Sequence, residues 1–137
     1  MRKFLIMTLV TTLGTGFGVS PATAKQSLQA VDVVENGLFA VAVADKIRRE
    51  CGDISGRLLR ARSFLNKLYD TARAEGYSDA EIDSYINSDE QKNRMRAKRD
   101  AFLSKQGVVK ASSETYCAAG RAEIQKTSQI GTLLKAR

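Results

Sequence analysis

Two cysteines, Cys51 and Cys117, are the residues of this 137-residue sequence most suited to covalent chemistry. They lie 66 positions apart, and neither belongs to a Cys-x-x-Cys motif. The sequence contains no histidine that could lower the pKa of a thiol. A redox role is therefore not favoured, and two structural alternatives stay open: one disulfide, or two buried cysteines that never meet.

A basic run, KNRMRAKR, begins at Lys92 and is the second candidate for chemistry. On a helical wheel, Met95 and Phe102 form a narrow apolar edge between two basic borders. Such an edge can contact an anionic membrane surface or an acidic partner, but it is more typical of a bundle helix whose long side chains cover the core. The bordering residues are Lys92, Arg96 and Arg99 on one side and Arg94, Lys98 and Lys105 on the other.

Acidic residues between Asp79 and Glu90 loosely imitate a calcium-binding loop. The match fails because the sixth position needs glycine and is Ser84, and because Glu81 is too long for the third ligand. A capping box, in which Ser78 begins a helix and Glu81 reaches back to it, accounts for the same residues without a metal. We predict no metal and no other cofactor.

The remaining catalytic inventory argues against an enzyme. Without histidine, the sequence lacks the commonest general base and the commonest transition-metal ligand. It contains no Gly-x-Ser-x-Gly motif and no glycine-rich phosphate-binding loop. Pairs of carboxylates could act as acid and base, but nothing in the sequence brings two of them into one cleft. We therefore predict no enzymatic activity.

Residues 1–24 have the organisation of a signal peptide. Arg2 and Lys3 precede an apolar stretch of about ten residues, which is too short for a membrane span of about twenty. Ala22-Thr23-Ala24 is a small-x-small cleavage site, and no cysteine follows it to carry a lipid. We predict cleavage after Ala24 and a periplasmic or secreted protein.

Export changes how the cysteines and the charge are interpreted. In an oxidising compartment, the disulfide between Cys51 and Cys117 becomes the favoured alternative, and closing its loop stabilises the fold by about 4 kcal/mol. Loss of Arg2 and Lys3 lowers the basic count from 22 to 20 against 15 acidic residues, so the net charge falls from +7 to +5. Because an exported protein does not normally meet nucleic acid, we predict no nucleic-acid partner.

The elements that must position these residues are helical. Residues 25–137 suffice for a single domain with one core, and they contain no strand-like alternation and no proline. The central helix is predicted from Gly37 to Cys51, with Asn36 as its N-cap, because apolar residues cover most of its circumference. Four further helices are predicted over residues 54–75, 79–87, 89–106 and 112–134.

Two packing contacts follow from this pattern. The helix over residues 54–75 carries a regular apolar stripe from Ile54 to Ala72, and its short connection makes it an antiparallel neighbour of the central helix. The last helix presents Cys117, Gly120 and Gly131 on one face, which allows a close approach to the central helix beside Cys51. The predicted fold is an all-α bundle of four to five helices with one disulfide.

Three segments of the sequence resemble a known family. They are NGLFAVAVADKIR from Asn36, GYSDAEI from Gly76 and CAAGRAEI from Cys117. They are similar to a family of short exported alphaproteobacterial proteins classed as a domain of unknown function, over nearly all of the mature chain. The resemblance implies a signal peptide, a paired cysteine and a periplasmic or secreted location, and it transfers no catalytic residue.

These observations predict an exported, non-enzymatic helical protein that acts as a binding or interaction module for an unidentified protein or envelope component. The alternative is a peripheral envelope protein that binds anionic lipid or polysaccharide through the basic helix from Lys92 to Lys105. In either case membrane contact is at most peripheral.

Overall fold

The structure is a computed structural model that describes residues 25–137, so the predicted signal peptide and its cleavage site lie outside the described residues. Within the described range the chain forms six α-helices, a short 3₁₀ turn and a two-stranded sheet, which confirms the all-α class. No helix in this range is long and apolar enough to cross a bilayer. The elements are α1 (Asp32–Glu50), β1 (Ile54–Gly56), α2 (Leu58–Ala74), α3 (Asp79–Asn87), α4 (Asp89–Lys105), α5 (Ser113–Gln125), α6 (Gln129–Thr132) and β2 (Leu134–Ala136), after the 3₁₀ turn Leu28–Ala30.

The central helix α1 begins earlier than the sequence predicts. It starts at Asp32, so Asn36 lies inside the helix and is not its N-cap. Val34 and Glu35 in this added turn are both buried, and the acidic Asp32 and Glu35 favour the positive end of the helix dipole. Tertiary burial of this turn therefore outweighs the capping preference of Asn36. The helix ends at Glu50, one residue before its predicted end, and Cys51 is its C-cap.

A short antiparallel sheet replaces the predicted start of the second helix. β1 pairs with β2 in the register Ile54 with Ala136 and Gly56 with Leu134. Because Ile54 is buried in this strand, α2 begins only at Leu58, and Leu58 itself is largely exposed. The predicted apolar stripe of α2 is buried only further along the helix, at Leu68 and Ala72. The pairing partners lie near the end of the chain, where no local pattern could indicate them.

The predicted last helix is two helices. α5 ends at Gln125, Thr127 adopts a positive φ of 49°, and Ser128 caps α6 by accepting a hydrogen bond from the Gly131 amide at 3.0 Å. Gly131 packs against the end of α5, where an added Cβ would lie 2.0 Å from the Glu123 carbonyl oxygen. The prediction that Gly131 faces α1 together with Cys117 and Gly120 is therefore wrong. After α6 the chain turns back and forms β2.

A disulfide joins Cys51 to Cys117, with Cα atoms 5.1 Å apart, and this confirms the predicted pairing. It ties the end of α1 to α5, beside the place where Gly120 lets the two helices approach closely. A disulfide of this kind is typical of proteins in oxidising compartments. Buried side chains form two clusters, a larger one around the second half of α1 and a smaller one around Leu28, Val34, Ala72, Tyr77 and Ile82.

The close approach at Gly120 gives a testable expectation. A Cβ at this position would lie 2.5 Å from Ile54 Cδ1 and 2.7 Å from Ile47 Cγ2, and both isoleucines are fully buried. We expect Gly120→Ala to lower the free energy of unfolding by about 1–2 kcal/mol in urea denaturation, even after the gain of roughly 1 kcal/mol in helix propensity. Gly52→Ala is the control, because nothing lies within 4 Å of its added Cβ. Equal stability of the two variants would contradict this packing.

Candidate functional site

A groove with an apolar floor lies between α1, α3 and α4. The floor consists of Leu38 and Ala42 from α1, Ile86 from α3 and Met95 from α4. The groove has a volume of about 220 Å³ and is open to solvent along one side. Because the floor offers no strong hydrogen-bonding group, it suits an apolar group of a ligand or partner.

Local sequence signals position the three walls. Leu38 and Ala42 are one helical turn apart, and they present the same face of α1 as Asp45 and Arg49. Ser88 both follows the last residue of α3 and caps α4, where its Oγ accepts a hydrogen bond from the Gln91 amide at 3.2 Å. This single-residue junction holds the end of α3 close to the first turns of α4. Ile86 of α3 and Met95 of α4 therefore line the same groove.

The rim of the groove is strongly positive. Four of the lining residues are cationic, and Asp45 is the one acidic residue that lines it in the described chain. Asp45 already accepts hydrogen bonds from Arg48 and Arg49. The four cationic lining residues are Arg49, Lys92, Arg96 and Arg99.

Two of these cations have no acidic partner among residues 25–137. Arg99 pairs with Asp100 at 2.7 Å, whereas Arg96 donates only to the neutral Asn93 Oδ1 at 3.1 Å. Neither Lys92 nor Arg96 forms an ion pair within residues 25–137. The rim therefore carries positive charge that is not neutralised by the described part of the protein, and it favours anionic groups.

The six basic residues predicted as an anionic-surface contact do not form one surface. Three of them, Lys92, Arg96 and Arg99, line the groove. Arg94 and Lys98 lie on another side of α4 and pair with Glu35, at 2.7 Å and 3.4 Å. Lys105 is the exposed last residue of α4 and does not line the groove.

The apolar edge of α4 faces the interior. Met95 and Leu103 are buried, and the ring of Phe102 packs edge-on against Phe39 of α1 with centroids 5.4 Å apart. This arrangement is that of a bundle helix whose basic side chains border the core. Contact of the six basic residues with an anionic surface stays a prediction.

Glu35 is a buried carboxylate that lies before the predicted start of the central helix at Gly37 and was not among the predicted site residues. It is 6% exposed and accepts hydrogen bonds from Arg94 Nη1 at 2.7 Å, Arg94 Nη2 at 2.9 Å and the Tyr85 hydroxyl at 3.1 Å. Gln91 and Lys98 donate to the same carboxylate at 3.4 Å. The cluster joins α1 to both α3 and α4. The sequence indicates this cluster only weakly. Glu35 is an acidic residue near the start of a helix, and the helix that pairs with it, α4, is rich in cationic residues.

The pKa values in this cluster follow from burial and charge. Burial alone raises the pKa of the Glu35 carboxyl, but hydrogen bonds from Arg94 and Tyr85 outweigh burial and lower the pKa to about 2. Burial and the negative charge of Glu35 raise the pKa of Tyr85 to about 12. Glu35 is therefore ionised and Tyr85 is protonated at neutral pH, and the cluster is an ion pair between Glu35 and Arg94 with a hydrogen bond from Tyr85.

The acidic residues that imitate a calcium loop bind different partners within the protein. The predicted capping box is confirmed, since Ser78 Oγ accepts from the Glu81 amide and Glu81 Oε2 accepts from the Ser78 amide. Glu81 also pairs with Lys25 at 2.8 Å, and Asp79 pairs with Arg73 at 2.6 Å. The described residues contain no group of three or more potential metal-ligating side chains.

Comparison with known proteins gives one match. The model of a family described as a family of unknown function (DUF5333) matches residues 26–135. No curated protein and no solved structure matches the chain. The match confirms the resemblance to a family of unknown function, and it extends over nearly the whole described range.

The Glu35 cluster predicts a pH-dependent contribution to stability. Because the pKa of Glu35 falls from 4.5 to about 2 on folding, its contribution is complete above about pH 4.5 and is lost as the pH falls toward 2. We expect Glu35→Gln to lower the free energy of unfolding by about 1–3 kcal/mol at pH 7, and by progressively less below pH 4.5. Urea denaturation over this pH range measures the difference.

The control for this variant is Glu114→Gln, because Glu114 is exposed and pairs with Arg121 at the surface. We expect a change below about 0.5 kcal/mol at every pH. A Glu35→Gln effect that does not change between pH 7 and pH 2 would show that the charge of Glu35 is not what stabilises the cluster.

Proposed function

The chain belongs to a family of unknown function (DUF5333), and we propose that it is an exported, non-enzymatic binding protein whose groove between α1, α3 and α4 holds an acidic segment of a protein partner. An apolar side chain of the partner occupies the floor, and acidic groups beside it contact the rim. One observation carries this proposal: an apolar floor is bordered by four cations and a single acid that is already paired.

The size of the groove favours part of a larger partner. Small-molecule sites usually enclose about 300–1,000 Å³, whereas this groove measures about 220 Å³ and is open on one side. A space of this size takes a single anchoring side chain, and anchors of this kind contribute much of the affinity of protein interfaces. Arg and Lys on the rim then select for acidic neighbours of the anchor and increase the association rate.

The alternative, in which α4 binds anionic lipid or polysaccharide along its whole basic face, has less support. Arg94 and Lys98 already neutralise Glu35, and Met95 is buried. A non-enzymatic role is supported by the dispersal of the carboxylates, since Asp79, Glu81 and Asp83 each contact a different partner.

Two features support export: the signal-like organisation of residues 1–24 and the disulfide. We expect a cell that expresses the whole chain to release a form that begins at Lys25, with both cysteines protected from a thiol-alkylating reagent unless a reductant is added. Mass spectrometry of fractionated cells measures both properties. The control lacks residues 2–24 and should stay in the cytoplasm with alkylatable thiols. Recovery of the whole chain with Met1 intact and both thiols free would contradict export.

The groove is testable with a probe that matches its chemistry. The fluorescent dye 8-anilinonaphthalene-1-sulfonate combines an apolar aromatic body with one anionic group. We expect the oxidised native protein to bind it, and the double variant Lys92→Glu/Arg96→Glu to weaken binding about tenfold, because two unpaired rim cations become anions. Fluorescence titration gives the dissociation constants, and a selection from a peptide library should enrich an apolar residue flanked by Asp or Glu.

The matched control is Arg62→Glu/Lys67→Glu on α2. It makes the same change in net charge at two exposed residues that do not line the groove. Equal weakening by both double variants would assign the effect to net charge, and the groove would then lose its proposed role. Selection of peptides without acidic residues would contradict the proposed partner chemistry.

A further inference from the structure

Leu58 and Leu59 form an exposed apolar pair at the start of α2. Their exposed fractions are 69% and 86%, although both are large aliphatic side chains. The other large apolar residues with high exposure, Val33 at 60% and Val109 at 58%, each lie between a charged residue and a more buried valine. Single exposed apolar side chains are common on protein surfaces. Two adjacent exposed leucines form an apolar patch, and such patches often mark sites that contact a protein or a membrane.

Cationic residues surround this pair. A shallow surface depression is lined by Gly56, the two leucines and three cations, Arg57, Arg60 and Lys135. No acidic side chain lines it. A second, smaller cavity lined by Leu58 is also lined by Asp45, which accepts hydrogen bonds from Arg48 and Arg49. We name the set Arg57, Leu58, Leu59, Arg60 and Lys135 the α2 tip.

The end of the chain holds the α2 tip in place. The Arg57 amide donates to the Leu133 carbonyl at 2.8 Å, and Arg57 Nε donates to the Leu134 carbonyl at 3.0 Å. Lys135 is placed beside the tip by the pairing of β1 with β2. The leucines are therefore presented by a folded junction of two distant parts of the chain, so the tip has a defined shape before it contacts anything.

We propose that the α2 tip is a docking surface for an anionic lipid bilayer. Leu58 and Leu59 enter the boundary between headgroups and acyl chains, while Arg57, Arg60 and Lys135 contact lipid phosphates. Charge complementarity and shape favour a bilayer. The leucines are exposed between cations, as apolar and basic residues are in interfacial membrane contacts. This surface is distinct from the groove of the proposed function, and it excludes the predicted basic residues of α4.

Vesicle sedimentation tests the proposal. The oxidised chain from Lys25 to Arg137 is mixed with vesicles of phosphatidylcholine alone or with added phosphatidylglycerol. We expect binding only to the anionic vesicles, with a strong decrease at high salt, because screening weakens the contacts of the cations. We expect Leu58→Ser/Leu59→Ser to weaken partitioning at least tenfold, and Arg60→Glu/Lys135→Glu to weaken it by a similar factor.

Two controls separate the α2 tip from other surfaces. Val33→Ser/Val109→Ser removes two other exposed apolar residues, which lie elsewhere on the surface, and should bind like the native protein. Lys92→Glu/Arg96→Glu makes the same change in net charge as Arg60→Glu/Lys135→Glu, but in the groove, so it should weaken vesicle binding less than the tip variant does. Circular dichroism and thermal melting of each variant establish that it is folded.

Several outcomes would overturn the proposal. They are no binding by the native protein, unchanged binding by the leucine variant, or equal loss in the valine variant. An equal or greater loss in the Lys92 and Arg96 variant than in the Arg60 and Lys135 variant would assign membrane contact to α4 or to net charge instead. Sedimentation velocity without lipid tests a second copy of the chain as the occupant, and a dimer that the leucine variant dissociates would likewise overturn bilayer docking.

Discussion

The burial of α1 is the constraint on which the rest of the structure depends. This helix contacts α2, α4, α5, α6 and β1, so most of its surface must be covered by other elements. Both of its ends are fixed to these neighbours. The disulfide ties Cys51 to α5, and the buried carboxylate of Glu35 ties the first turn to α3 and α4. A covalent bond and a charge-assisted cluster therefore determine which elements can lie beside α1.

The Glu35 cluster also decides which cations of α4 are free. A buried carboxylate must be compensated, and Arg94 and Lys98 provide this compensation from one side of the helix. The helical spacing then turns Lys92, Arg96 and Arg99 toward the groove. In this way a structural ion pair divides an apparently uniform basic helix into a stabilising side and a side that is available for binding.

The groove and the α2 tip use opposite geometry for similar chemistry. The groove is concave, with apolar side chains on its floor and cations on its rim, whereas the tip presents two leucines outward between cations. Concave sites select a complementary group on a partner, while projecting apolar residues suit a deformable medium such as a lipid surface. Asp45 of α1 lines the groove and also the small cavity beside Leu58, so α1 lies between the groove and the neighbourhood of the α2 tip.

The sequence by itself determined the features that depend on neighbouring residues. Helical periodicity identified most of the helices, the Ser78 and Glu81 capping box marked the start of α3, and Ser88 marked that of α4. The disulfide is the one long-range exception: Cys51 and Cys117 lie 66 positions apart, but two cysteines in a chain with a signal-like start have only each other as partners. Within the candidate site, the spacing of the basic residues was visible, although their separation into two sides was not.

Only the tertiary structure decided the features that depend on distant residues. The β1 and β2 pairing turns Ile54 into a strand residue, and burial of Glu35 extends α1 past Asn36. The turn at Thr127 ends α5 so that the chain can return to β1. Capping and periodicity act over a few residues, whereas these contacts join residues about 60 to 80 positions apart, and their free energies exceed the local preferences that they override. The groove and the α2 tip are built from such contacts, so neither could be located before the chain was folded.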